Sequence, residues 1–71
     1  MEIDLSKYEN IDTAKCQLKV SGEDSFIVGE EVDENNHLWY VIKTEDGLIV
    51  SDAEKVSVDI LYTPNISQII I

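Results

Sequence analysis

Five apolar residues, Leu38, Trp39, Tyr40, Val41 and Ile42, follow one another in the run HLWYVIK, and Thr44-Glu45-Asp46-Gly47 comes directly after. An Asp-Gly pair between two apolar runs is a strong hairpin signal, and four residues suit a type I turn with a glycine bulge. Closing the turn at Thr44 and Gly47 sets Ile42 opposite Ile49 and Val41 opposite Val50. Alternation then puts Trp39, Val41, Leu48 and Val50 on one face and Leu38, Tyr40, Ile42 and Ile49 on the other. A slip of one residue would exchange the faces. Both faces are apolar in a chain of 71 residues, which buries only about 60% of the surface it exposes when unfolded. One face must be the core. The other needs cover from the N-terminal segment with Leu5, Tyr8 and Ile11, from the Ile-rich tail, or from a second chain.

The chain reads as a single small domain over residues 1–71, with an N-terminal arm or helical turn at 1–12 and an apolar tail at 63–71. In DLSKYENI, Ser6 and Glu9 fit a capping box and Leu5, Tyr8 and Ile11 recur at spacing three, although the same residues also suit an extended arm. From Lys15 to Val20 the period becomes two, with Cys16, Leu18 and Val20 expected inward. Ser21 to Asp24 is a turn. Ser25 to Val28 is a short strand that Gly29 and two glutamates bend or end. Asp33 to Asn36 is a further turn, and Asp52 to Lys55 is one tight turn of 3₁₀ type. Val56, Val58 and Ile60 alternate as the last clear strand. The expectation is an all-β fold, a five- to six-stranded antiparallel barrel.

The succession of a strand, a glycine-bearing strand, the VIKTEDGLIV hairpin, the short DAEKV turn and a final alternating strand resembles a small barrel of the Src-homology-3 type. The resemblance covers about residues 14–62 and rests on layout. The aromatic cluster with which eukaryotic members hold proline-rich peptides is not recognisable here, so no binding residue is carried over. Such barrels also occur among small phage and prophage proteins, and this short, acidic, arginine-free chain is similar to those in style.

Fifteen acidic residues face five lysines and no arginine, for a net charge of -10. Residues 21–54 hold Glu23, Asp24, Glu30, Glu31, Asp33, Glu34, Glu45, Asp46, Asp52 and Glu54 against Lys43 alone. Direct contact with nucleic acid or an anionic membrane is disfavoured, because phosphate contacts need Lys and Arg. A basic partner is favoured, because a field of one sign steers it in. The same acids would also serve simply to keep a small domain soluble. No apolar run approaches the roughly 18 residues needed to span a bilayer, and MEIDLSKYEN lacks a signal-peptide core. Cytoplasmic location is expected. Cys16 then reads as a small core hydrophobe, and the Asn65-Ile66-Ser67 sequon as chance.

Groups for catalysis are sparse. His37 is the only histidine and is expected at a solvent-exposed strand end, so no metal site is predicted from it and carboxylates on flexible turns. The Asp33–His37 stretch imitates a calcium loop but lacks its sixth-position glycine, and Thr44 stands where the twelfth-position glutamate belongs. No phosphate loop or nucleophile elbow occurs. The expectation is a non-enzyme without cofactors. It would be a small acidic inhibitor or adaptor, phage- or mobile-element-encoded, acting against host defence as a DNA mimic on a basic nucleic-acid-binding enzyme. The ten acids would imitate phosphates, with Trp39 or Tyr40 as aromatic anchor. The alternative is an assembly module that homo-oligomerises through the hairpin face and the Ile tail. A third reading holds a small molecule at a subunit interface, although an anionic nucleotide suits this charge poorly.

Overall fold

The computed structural model describes residues 2–61. Five antiparallel strands form one sheet: β1 (Leu18–Val20), β2 (Phe26–Val32), β3 (Leu38–Thr44), β4 (Gly47–Asp52) and β5 (Val58–Ile60), in the spatial order β4-β3-β2-β1-β5. The chain is all-β, as expected, with five strands among the described residues. The anticipated Ile-rich tail, its edge and the sequon lie outside them.

The hairpin register is the one that the TEDG turn dictates. Val41 pairs with Val50, Ile42 with Ile49 and Thr44 with Gly47. Gly47 has φ 130 while Glu45 and Asp46 keep negative φ, as a type I turn followed by a glycine requires. On the other side of β3, β2 runs through Gly29 rather than ending there. Ile27 pairs with Ile42 and Gly29 with Val41, so Val28 is the extra residue of a bulge. A bulge bends its strand and increases the local twist.

Among the described residues the sheet is not closed by a ladder, but it is curled. Five strands spaced about 4.8 Å apart put the two edges about 19 Å from one another in a flat sheet. The link from β4 to β5 spans residues 53–57, and its 3₁₀ turn, Ala53–Lys55, shortens it to a reach of about 16 Å. Curvature is therefore imposed by the connection. Its concave side is lined jointly by Val20 of β1, Ile42 of β3, Ile49 and Ser51 of β4, and Val56 and Ser57 of the link. Ser21 ties the ends together by donating its N–H to Ser57 O at 2.9 Å and its hydroxyl to Asp59 at 2.8 Å.

Three local expectations are corrected. The N-terminal 3₁₀ turn (Leu5–Tyr8) is capped by Asp4, whose carboxylate accepts the Ser6 N–H at 3.1 Å, and not by a Ser6–Glu9 box. The strand expected from Lys15 is confined to Leu18–Val20. Asp12 accepts the Ala14 N–H at 2.9 Å and winds Thr13–Lys15 into another 3₁₀ turn, leaving Cys16 half-buried. The last strand, expected from Val56, begins at Val58, which pairs with Val20, and Ile60 is exposed.

Both faces of β3 contribute to the core. Ile27 and Ile42 are buried on the concave side, and Val41 is fully buried on the opposite, convex side. The convex cover is the N-terminal arm. The Tyr8 ring lies on Gly29, so closely that a Cβ there would overlap it. The Tyr8 hydroxyl donates to Glu31, and Lys7 Nζ stands 3.6 Å from the same carboxylate. Farther along, Ile3 and Leu5 lie beside Trp39 and Val50, and Leu5 and Glu9 beside Lys43 and Leu48. Of the covers the sequence allowed, the arm occupies this face.

Gly29 has no positive φ, so an added methyl acts through overlap alone. Gly29→Ala is expected to cost about 1–3 kcal/mol by overpacking. In Tyr8→Ala the ring is gone, and the added cost of Gly29→Ala should fall well below that value. Urea denaturation of the two single variants and the double variant measures the coupling, and strict additivity would contradict the Tyr8–Gly29 seat.

Candidate functional site

Of the ten acids singled out by sequence, eight fall in or beside the turns at the two ends of the sheet, because successive hairpin turns of an antiparallel meander alternate between ends, while Glu30 and Glu31 lie within β2. Glu23 and Asp24 from the β1–β2 turn and Glu45 and Asp46 from the β3–β4 turn come together around one shallow concavity with Ser25, Thr44 and Ile49. All four acids are exposed. Among the described residues, none of the four carboxylates has a hydrogen bond or an ion pair. Four uncompensated carboxylates thus surround the half-exposed Ile49, which is 47% accessible.

The opposite end is organised differently. Asp33 caps the β2–β3 turn. Its Oδ1 accepts the N–H groups of Asn35 at 2.8 Å and His37 at 3.0 Å, while Oδ2 accepts the Trp39 indole N–H at 3.0 Å. Asn36 supplies the left-handed residue of that turn at φ 64. The indole hydrogen bond, followed by the His37 backbone N–H, holds the Asp33 carboxyl below the ordinary carboxylate range. Asp52, at the end of β4, caps the 3₁₀ turn through the Glu54 N–H at 2.9 Å and meets His37 Nε2 at 2.6 Å. Those two contacts, in that order, also lower the Asp52 pKa. His37 is pushed up by its hydrogen bond to Asp52, against a smaller opposing effect of burial, with the charges of Asp52, Glu54 and Asp33 adding to the rise. It is therefore not the free strand-end side chain expected from sequence. Its ring meets the edge of Trp39 at 5.4 Å between centroids.

The remaining acids separate in the same way. Glu31 is engaged by the arm, and the Tyr8 hydroxyl followed by Lys7 lowers its pKa. Glu30, Glu34 and Glu54 are exposed. Trp39 and Tyr40 are both half-buried on opposite faces. Trp39 is held by Asp33, His37 and the arm. Tyr40 pairs with Glu30 and Ser51. Cys16 remains a free thiol pushed up by burial and by the charge of Asp12.

Sequence reasoning did not single out Tyr8 or His37 as organising residues, nor the caps Asp4 and Asp12. A usable signal was present. Asp4, Asp12, Asp33 and Asp52 each accept the N–H two residues on, the local turn that a short carboxylate favours. Neither the known family models, nor the curated proteins, nor the solved structures yield a match to this chain.

Glu31 gives a pH dependence with a definite sign. Its folded-state pKa is depressed, so its contribution to stability is complete above the ordinary glutamate value and is lost as pH falls through the lowered one. Thermal melts between about pH 6 and pH 3 should show the melting temperature falling at the acid end. Tyr8→Phe, which removes the donor, should flatten that fall while leaving the β hairpin intact by circular dichroism.

Proposed function

We propose that this chain is a small acidic protein-interaction module of the phage or mobile-element kind. It acts in the cytoplasm by occupying the basic nucleic-acid-binding surface of a host enzyme. The observation that carries this reading is the cluster of Glu23, Asp24, Glu45 and Asp46 around one concavity, without a basic neighbour in ion-pair contact among the described residues. Carboxylates left uncompensated at one end of the sheet repel one another, and a Lys/Arg-rich surface relieves that repulsion while releasing its own counter-ions. Ile49 supplies apolar area at the centre of the charged ring, the arrangement of a dry centre with a polar rim.

The role is one of binding rather than catalysis, and it asks for no cofactor. We read the curled sheet, with its 3₁₀ turn before the last strand, as a small barrel of the Src-homology-3 type. Trp39 is assigned to holding the fold rather than to anchoring a partner, since its indole N–H and its ring edge are both engaged. Tyr40 retains the anchoring role. The second reading, self-assembly, draws on Val32 and Ile60, exposed at 57% and 81%. A monomer by light scattering at high concentration would remove it.

Affinity capture from the native host lysate, followed by mass spectrometry, identifies the partner, and binding is then measured across a salt series. Affinity should fall steeply with salt, and duplex DNA should compete. The quadruple variant Glu23→Gln, Asp24→Asn, Glu45→Gln, Asp46→Asn should lose at least about tenfold, roughly 1.4 kcal/mol, with a shallower salt dependence. Its melting temperature should hold or rise, because no native contact is removed. Affinity that stays flat with salt would sink the mimicry.

A further inference from the structure

We propose that His37, Asp52 and Glu54 form an exchangeable site for a divalent transition ion of the Zn²⁺ class. One ligand atom from each, the His37 imidazole nitrogen and one carboxylate oxygen from each acid, can be chosen so that all three lie within 4.8 Å of one another. Zn²⁺ bound at about 2.0–2.2 Å in a tetrahedron sets its ligands roughly 3.4 Å apart. The set therefore needs only a small contraction, together with widening of the 2.6 Å contact between His37 Nε2 and Asp52 Oδ1. Neutral imidazole offers the Nε2 lone pair, and the ion replaces the shared proton between nitrogen and carboxylate.

The three side chains are not carried on loose turns. Asp33 pins the His37 backbone through its N–H. Asp52 is held in the ladder opposite Trp39, and Asp52 itself fixes Glu54 through the Glu54 N–H. The backbone under each ligand is thus placed by a separate contact, as supporting interactions do around metal ligands. One nitrogen with two carboxylate oxygens suits a borderline ion. Mg²⁺ and Ca²⁺ prefer oxygen alone. Two carboxylates balance the double charge, and a fourth position stays with water. Exposure of Glu54 makes the site exchangeable rather than structural. This inference is independent of the proposed function, since it uses the opposite end of the sheet from the Glu23/Glu45 cluster.

The chain has one histidine and one tryptophan, so both report without ambiguity. The full chain, carrying Cys16→Ser to remove the competing thiol, is stripped with chelator and titrated with ZnCl₂. Calorimetry and the proton resonances of the His37 imidazole are followed together. One ion per chain is expected, with the His37 resonances shifting to saturation at that ratio. Co²⁺ in place of Zn²⁺ should quench Trp39 emission in parallel. Both His37→Gln and Glu54→Gln leave the Asp52 cap in place, and the first should weaken binding at least about tenfold. Excess Mg²⁺ should not displace the ion. Unmoved His37 resonances, wild-type binding by a folded His37→Gln, or displacement by Mg²⁺ would each overturn the site and leave only diffuse attraction to an acidic surface.

Discussion

The Tyr8 ring seated on Gly29 is the contact on which the rest of the fold depends. A single sheet of five short strands has two faces and too few residues to build a second layer over either. Curvature closes the concave face over Ile27 and Ile42, but it opens the convex face where Val41 lies. Only a segment outside the sheet can cover that side. The arm does so because β2 presents, beside Val41, the one residue without a side chain. Glu31, two residues farther along the same face of β2, receives the Tyr8 hydroxyl and draws in Lys7. The bulge at Val28 contributes twice, bending the sheet and bringing Gly29 onto the convex face.

The charge of the chain is divided by side-chain length. Asp4, Asp12, Asp33 and Asp52 turn back onto the N–H two residues on, and so form the three 3₁₀ caps and the β2–β3 turn. Glutamate, one methylene longer, does not make that local bond here, and most glutamates of the central region face solvent. Exceptions run both ways, since Glu31 is engaged by the arm while Asp24 and Asp46 face outward. The set of unengaged acids is consequently smaller than the net charge of -10 suggests. Glu23, Asp24, Glu45 and Asp46 meet where the β1–β2 and β3–β4 turns adjoin, and the opposite end combines a bonded network of Asp33, His37, Trp39 and Asp52 with the exposed Glu34 and Glu54.

Much of the sheet was legible in the residues. The TEDG turn pointed to the β3–β4 register that the fold adopts, because an Asp-Gly pair at that spacing favours closure at Thr44 and Gly47. Alternation in LWYVIK and LIV then allotted every side chain to a face. The DAEK turn and the DENN turn also stood where local chemistry put them. The signals that misled were equally local. Ser6 and Glu9 match a capping box, yet Asp4 reaches the same backbone first. Lys15 and Cys16 continue an alternating pattern, yet Asp12 has already wound the preceding residues. Gly29 was expected to bend or end its strand, and the strand bends there without ending; what local pattern did not show was its seat for the Tyr8 ring, 21 positions away in sequence.

What the sequence determined by itself was the fold class, the pairing of the central hairpin and the excess of acid, since periodicity, turn chemistry and charge are properties of neighbours along the chain. What only the tertiary structure decided was which element covers the convex face and which acids remain free. It also decided that His37 faces Asp52 and Glu54. Each of these depends on the curl of the sheet and on contacts between residues distant in sequence, where no local pattern carries the information.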